Sequence, residues 1–235
     1  QYIEHFVTES SVLLYYRPLS LNKRQELLKG VDDSNPTTNL SYPFPILSGE
    51  KPEELCSPPT GWTIDQRYAN NLGQGEIHFR EFTLKLIRTM DLGNGCFYDP
   101  ACSTGQFLHS IKKEFPQCYT IGQDLSAEMA HYAQGYVDEI YHSNASIYPG
   151  TKLVDVAIIR FLNSEVVKTN EAVSLFQHII PRIKRGGHVF VIGHTPVKVP
   201  LSVMMNGLKC VRTIASMNDP VHGSYIFQFY HLVKE

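Results

Sequence analysis

From Gly95 to the C-terminus, short apolar runs alternate with segments of helical periodicity, and this alternation leaves very few folds open to the chain. Cys96 to Asp99, Tyr119 to Gln123, Glu139 to His142, Val154 to Arg160 and His188 to Gly193 read as strands. Helices are predicted from Gln106, from Ser126 and across Glu165 to Ile180, with a turn at Gly186-Gly187 ahead of the last of these strands. Strand, helix and strand in that order form the βαβ unit, whose right-handed crossover builds a parallel sheet covered by helices on both faces. Tyr225 to Leu232 is strand-like with no helix after it, so it is expected to enter as an antiparallel strand. A leading helix from about Glu76 to Met90 places Phe79, Phe82, Leu86, Ile87 and Met90 on one face.

The first third has a different character. Pro36, Pro43, Pro45, Pro52, Pro58 and Pro59 fall between Val31 and Trp62, which predicts an irregular wrap or lid. Ahead of it, Ile3, Phe6, Val7, Leu13 and Leu14 recur at helical spacing between Tyr2 and Tyr16, and Ser20 can cap a second helix through Leu28. A chain of 235 residues exceeds one domain of about 150 but is short for two enzymes. The expected division is a helical and Pro-rich lid over 1–75 and an α/β domain over 76–235.

Composition narrows the class of function. The formal charge of −2 carries no like-charge block, so a phosphate-tracking surface is not expected and nucleic acid is set aside as a partner. No apolar run approaches the roughly 18 residues of a membrane span, and Gln1 is not followed by a basic-then-apolar leader. Cys56, Cys96, Cys102, Cys118 and Cys210 are scattered without a CxxC pair, which argues against a disulfide framework or a zinc site and for a reducing, cytoplasmic setting.

Two strand ends carry the chemistry. Phe97-Tyr98-Asp99-Pro100-Ala101-Cys102-Ser103-Thr104-Gly105 is a strand ending in an acid, followed by small residues that let a ligand approach backbone N–H groups at a helix N-terminus. Tyr119 to Ser126 repeats the theme with Asp124, at an offset close to the roughly 20 residues at which doubly wound folds set a carboxylate on ribose. Together they point to an adenosine-containing cofactor; helix capping is the competing explanation for both acids. NAD is disfavoured because no Gly-x-Gly-x-x-Gly fingerprint is present.

These residues resemble the class I S-adenosylmethionine-dependent methyltransferase family over about Ile77 to Glu235. Where that family has alternate glycines, this chain has Ala101, Ser103 and Gly105, so only the last matches. The Asp-Pro-Ala-Cys run also looks like that of amino-group adenine methyltransferases, but the fourth strand leads to Arg160-Phe161-Leu162-Asn163 and not to their catalytic run. The resemblance implies that Asp99, Ala101, Cys102 and Gly105 border the methionine part of the cofactor. It further implies that Asp124 binds the ribose, Leu125 packs on adenine, and Asn144 and Ala145 meet its edge. Arg160 and Phe161 would lie beneath the sulfonium, and Tyr68 would contact the cofactor carboxylate. Cys102, at a helix start, is either a reactive thiol or a small packing residue.

A sulfonium favours aromatic faces and a dry pocket, and the N-terminal third offers Tyr15, Tyr16, Tyr42, Phe44, Trp62 and Tyr68. Asn163, His194 and Tyr15 are the candidate catalytic residues, with Glu165 beside Asn163. The leading expectation is methyl transfer from S-adenosylmethionine to an enclosed small nucleophile. The turn and the Arg-Phe-Leu-Asn run are also similar to isonocardicin synthase-like transferases and azetidine-2-carboxylate synthases. Those enzymes use the aminocarboxypropyl group, in the latter with the cofactor itself as substrate. The third expectation is a non-catalytic binding subunit of the same fold.

Overall fold

A computed structural model describes residues 2–7, 11–16, 57–64, 77–163, 166–193, 197–218 and 225–235. The five central strands are β3 (Cys96–Asp99), β4 (Tyr119–Asp124), β5 (Glu139–His142), β6 (Val154–Ile159) and β7 (Ile183–Gly193). They pair in parallel in the order β7-β6-β3-β4-β5. Helices α1 (Ile77–Thr89), α2 (Gln106–Glu114), α3 (Ala127–Ala133) and α4 (Thr169–Ile179) flank them, and a short α5 (Leu201–Met204) precedes the final strands. β8 (Leu208–Asn218) and β9 (Tyr225–Lys234) bring these strands to seven, mostly parallel, and among the seven β9 alone, lying between β7 and β8, runs against the rest.

Period-2 alternation decides what each face of this sheet buries. Phe97, Val156, Ile158, Phe190 and Ile192 point toward α1 and α2, where Phe79, Ile87, Phe107, Leu108 and Ile111 complete one core. Their neighbours Tyr98, Ala157, Ile159, Val189 and Val191 point to the other face, against Ala172, Phe176 and Ile179 of α4. Both faces are dry, as a parallel sheet requires. Each fully buried aliphatic or aromatic side chain contributes about 1.5–3 kcal/mol.

The N-terminal helix expected between Tyr2 and Tyr16 is instead a pair of strands, β1 (Tyr2–Val7) and β2 (Ser11–Tyr16). β2 pairs antiparallel with β8, so the hairpin extends the sheet at that edge. Ile3, Phe6, Val7, Leu13 and Leu14 fit both periods, and the edge of β8 supplies backbone partners that local spacing cannot reveal. The Gly186-Gly187 turn is likewise part of β7: the register passes from Val154↔Ile183 to Val156↔His188, so residues 184–187 bulge while the strand continues. The helix expected from Glu165 begins at Thr169, where Glu171 Oε2 accepts from Lys168 N. The helix expected from Ser20 lies outside the described residues, as does most of the Pro-rich stretch. Among the described residues no helix is long and apolar enough to cross a membrane.

Far from the strand ends, His188 Nδ1 and His231 Nε2 lie 2.9 Å apart across β7 and β9. His231 is only 4% exposed, and its Nδ1 has no partner among the described residues. Burial, then His188 and Arg212, push its pKa down to about 4. A histidine held neutral in the folded state costs stability as pH falls below its unfolded value near 6.5, and the loss saturates near the folded value. Between pH 7 and pH 5 the expected loss is about 2 kcal/mol, or about 4–8 °C in Tm. His231→Phe should shrink that difference in thermal unfolding; an unchanged pH dependence would remove the assignment.

Candidate active site

Strand order reverses between β3 and β6, so the loops leaving their C-terminal ends diverge and open the crevice in which this architecture binds ligands. Asp99 ends β3 and Arg160 follows β6. They form a buried ion pair: Arg160 Nε donates to Asp99 Oδ2 at 2.9 Å, with the side chains 11% and 0% exposed. Asp99 Oδ1 accepts from Ala101 N at 3.1 Å, and Arg160 Nη2 lies 3.5 Å from Ala101 O. The Arg160 guanidinium carbon sits 5.1 Å from the centre of the Phe107 ring. Asp99 therefore ties the ends of β3 and β6 together and does not line the crevice, whereas Ala101 and Arg160 do.

The turn between Asp99 and α2 keeps its shape with one glycine where the resemblance leads one to expect three. Gly105 adopts φ 77°, and a Cβ there would stand 3.1 Å from Ala133 Cβ, so α2 and α3 pack closely at this point. Ser103 adopts φ 54° although it is not glycine. Its N–H donates to Asp124 Oδ2 at 2.8 Å, which offsets the left-handed conformation. Cys102 is buried against Gly122, where a Cβ would meet its Sγ at 2.8 Å. Burial, then Asp99 and Asp124, raise the Cys102 thiol well above its ordinary value, so it is a packing residue and not a reactive thiol.

Asp124 projects from the end of β4 into the crevice. Its Oδ1 accepts from Ser126 N at 2.8 Å, and Ser126 Oγ caps α3 by accepting from Met129 N. Burial raises its pKa despite the opposing hydrogen bonds from Ser126 and Ser103. Leu125 and the loop segment Asn144, Ala145 and Ser146 continue this wall, with Asn144 Oδ1 accepting from Ser146 N at 2.9 Å. Behind the loop stands the buried Gln123, a residue that motif reading passed over; its Nε2 reaches Asn144 O at 2.6 Å and Ile147 O at 2.8 Å.

Phe161, Asn163, Val166, Lys168 and Glu171 form the opposite wall. Asn163 Nδ2 donates to Arg160 O at 3.1 Å, and the Asn163 backbone carbonyl accepts from the N–H groups of Val166 and Val167 at 3.3 and 3.2 Å. Residues 57–64 form a strap between the walls. Ser57 N donates to Val166 O at 2.9 Å on one side; Ser126 Oγ donates to Trp62 O at 2.6 Å and Ile64 N to Glu128 Oε2 at 2.8 Å on the other. The cavity between the walls and the strap measures about 880 Å³.

Gly61 holds the strap down. It has φ 78°, and a Cβ would fall 2.6 Å from Ser126 N. Gly61→Ala adds about 1–2 kcal/mol of backbone strain to that clash and should lift the strap. Trp62 is the chain's one tryptophan, so the lifted strap should show as stronger acrylamide quenching of its fluorescence. Quenching equal to the wild type would mean that the strap tolerates the change.

The structure thus brings Ala101, Asp124, Leu125, Asn144, Ala145, Arg160, Phe161 and Asn163 to one cavity, with Asp99, Cys102 and Gly105 shaping it from behind. Tyr15 and Tyr16 lie on β2, in register with Ile214 and Thr213. That is four strand positions from β6, or roughly 19 Å across the sheet. Tyr42, Phe44, Tyr68, Glu165 and His194 lie outside the described residues.

No family model matches the sequence. Isonocardicin synthase from Nocardia uniformis subsp. tsuyamanensis is 33% identical over 231 residues, which cover 97% of this chain and 74% of that protein. The chain belongs to the isonocardicin synthase family. For this family member the solved structures supply the fold name. The N-methyltransferase NodS of Bradyrhizobium japonicum WM9, in complex with S-adenosyl-L-homocysteine, superposes with TM-score 0.58 at 10% identity, covering 73% of this chain and 93% of NodS. Magnesium protoporphyrin IX methyltransferase from Synechocystis PCC 6803, with bound S-adenosylmethionine, gives TM-score 0.57 at 13% identity over 74% of this chain and 87% of that one. The family member therefore has the class I S-adenosylmethionine-dependent methyltransferase fold, in agreement with the α/β architecture expected from the sequence.

Proposed function

We propose that the protein is an S-adenosylmethionine-dependent transferase whose chemistry breaks the bond between sulfur and the aminocarboxypropyl group. The cavity accommodates such a cofactor: Asp124 offers an acceptor carboxylate for vicinal hydroxyls, and Leu125 and the loop of Asn144 to Ser146 offer an apolar and polar wall for a base. When bound, the sulfonium supplies an activated carbon and a neutral thioether leaving group. The strap excludes water, and the cavity walls fix the approach of the nucleophile.

The observation that carries the choice of bond is the ion pair of Asp99 with Arg160. An acid facing the methionine end would hold its ammonium protonated; here that acid is closed against a guanidinium, and Arg160 takes its place on the cavity wall. This environment favours a neutral amine beside a bound carboxylate, which ring closure to azetidine-2-carboxylate requires. In that step the ammonium first gives one proton to water, the neutral amine nitrogen attacks the γ-carbon, the electron pair of the breaking carbon–sulfur bond leaves with methylthioadenosine, and the ring nitrogen stays protonated in the zwitterionic product. Kinship with isonocardicin synthase supports use of the same group with a separate acceptor. Methyl transfer to a small nucleophile is the second reading, favoured by the methyltransferase neighbours in fold.

Incubation with S-adenosylmethionine alone, followed by mass spectrometry, separates these readings. Methylthioadenosine with a cyclic amino acid supports ring closure, and methylthioadenosine only with an added acceptor supports group transfer. S-adenosylhomocysteine as product establishes methyl transfer, and binding without turnover leaves the binding-subunit reading. Absence of cofactor binding in calorimetry would remove all of them. In this reading 76–235 holds the cofactor, the strap of 57–64 closes over it as part of the expected lid of 1–75, and the setting is cytoplasmic with no nucleic-acid partner.

A further inference from the structure

Gln123 immediately precedes Asp124 on β4, and by strand alternation its side chain leaves the sheet on the face opposite the carboxylate. It is fully buried. Tyr98 OH donates to Gln123 Oε1 at 2.5 Å, and burial raises the Tyr98 phenol far above its ordinary value, so this hydroxyl keeps the proton it donates. The amide orientation is fixed by the other end, where Nε2 faces backbone carbonyl oxygens that can only accept. Asn144 O lies at 2.6 Å, Ile147 O at 2.8 Å, Ser143 Oγ at 2.9 Å and Ser143 O at 3.3 Å. Two N–H donors cannot serve four acceptors at full strength, and the distances favour Asn144 O and Ile147 O.

These two carbonyls bracket the segment that forms the cavity wall beyond Asp124. Ile147 N donates back to Asn144 O at 2.8 Å, and Ser143 N donates to Asp124 O at 3.0 Å. The loop is therefore wound around the Gln123 amide, which sets how far Asn144, Ala145 and Ser146 stand from the carboxylate next to it. We infer that Gln123 is a positioning residue for recognition of the purine edge: it holds the 143–147 loop where its polar groups discriminate a 6-amino from a 6-oxo purine. The inference rests on the adenosine-binding reading of the cavity and adds to it the residue that tunes base selectivity without touching the base.

The test compares S-adenosylhomocysteine with S-inosylhomocysteine by calorimetry. The wild type should prefer the adenosyl ligand. Gln123→Met keeps the volume and removes both donors, and should weaken adenosyl binding at least tenfold while bringing the adenosyl-to-inosyl ratio close to one. Gln123→Glu provides a reversible control. As a carboxylate it repels the surrounding carbonyl oxygens, and once protonated it accepts from Tyr98 and donates to the loop, so affinity should recover as pH is lowered from 8 to 6 relative to wild type. A purely packing role would lower Tm and leave both the ligand ratio and the relative pH profile unchanged, and that result overturns the inference. Should Gln123→Met fail to fold, the Gln123→Glu profile decides alone. A wild type that binds neither ligand would defeat the adenosine reading itself, whereas a wild type that binds and variants that keep its ratio defeat only the role of Gln123.

Discussion

Replacing Arg160 by methionine is expected to lower folding stability by about 3 kcal/mol, or about 6–12 °C in Tm. The cost does not come from the loss of an attraction alone. Asp99 is fully buried between the ends of β3 and β6, so removing its partner leaves a charge with no solvent and with only the remaining hydrogen bonds of its pocket. Such uncompensated burial costs more than the net value of the pair. The double variant Arg160→Met with Asp99→Asn removes the charge as well, keeps an acceptor for Ala101 N, and should regain at least half of the loss. Urea unfolding of the two variants beside the wild type measures this. A single variant within about 1 kcal/mol of wild type would show that the pair sits in a more forgiving environment than its burial implies.

Asp124→Ala is expected to weaken S-adenosylhomocysteine binding by at least about 100-fold, since two hydrogen bonds to a charged acceptor contribute about 1.5–3 kcal/mol each. Stability should change far less. The same substitution leaves Ser103 N and Ser126 N without their acceptor, but it also removes a carboxylate whose desolvation outweighs those bonds, as its raised pKa records. The raised value fixes the sign of the pH effect: binding through the carboxylate is present above the folded pKa and is lost as pH falls through it, earlier than for an ordinary aspartate. Asp124→Asn, with one acceptor oxygen kept, should fall between. Calorimetry at two pH values reads both effects, and an alanine variant of near wild-type affinity would place the ribose elsewhere.

Much of this arrangement was legible in the sequence because parallel strands buried on both faces are short apolar runs with sharp ends. The spans of β3, β5 and β6 follow from that, and the acids at the ends of β3 and β4 follow from the strand-turn-helix order. The role of Asp99 did not. Asp99 reads as a ligand contact until β6 is seen to bring Arg160 within 2.9 Å, which no local spacing encodes. Ser103 and Ala101 look like lost glycines, yet Ser103 takes the left-handed conformation anyway and Ala101 does not need it. Gln123 left a faint trace, a polar residue on the same strand face as the buried Ile121, which signals an internal hydrogen-bond partner. The N-terminal strands left none that separates them from a helix, because what makes them strands is the edge of β8, supplied from the other end of the chain.

That hairpin has a consequence for how the protein keeps to itself. Without β2, Thr213 to Asn218 of β8 would turn one row of backbone N–H and C=O groups to solvent beside the longest antiparallel pairing in the sheet. A long, regular, unpaired edge is a template for another chain's strand, and proteins shield such edges to stay dispersed. The pairing of β2 with β8 hands that edge to β1, which is six residues long and shifts register between Tyr2 and Glu4. A short, irregular rim offers an incoming strand little to extend, so β1 and β2 protect β8 and β9 from intermolecular growth.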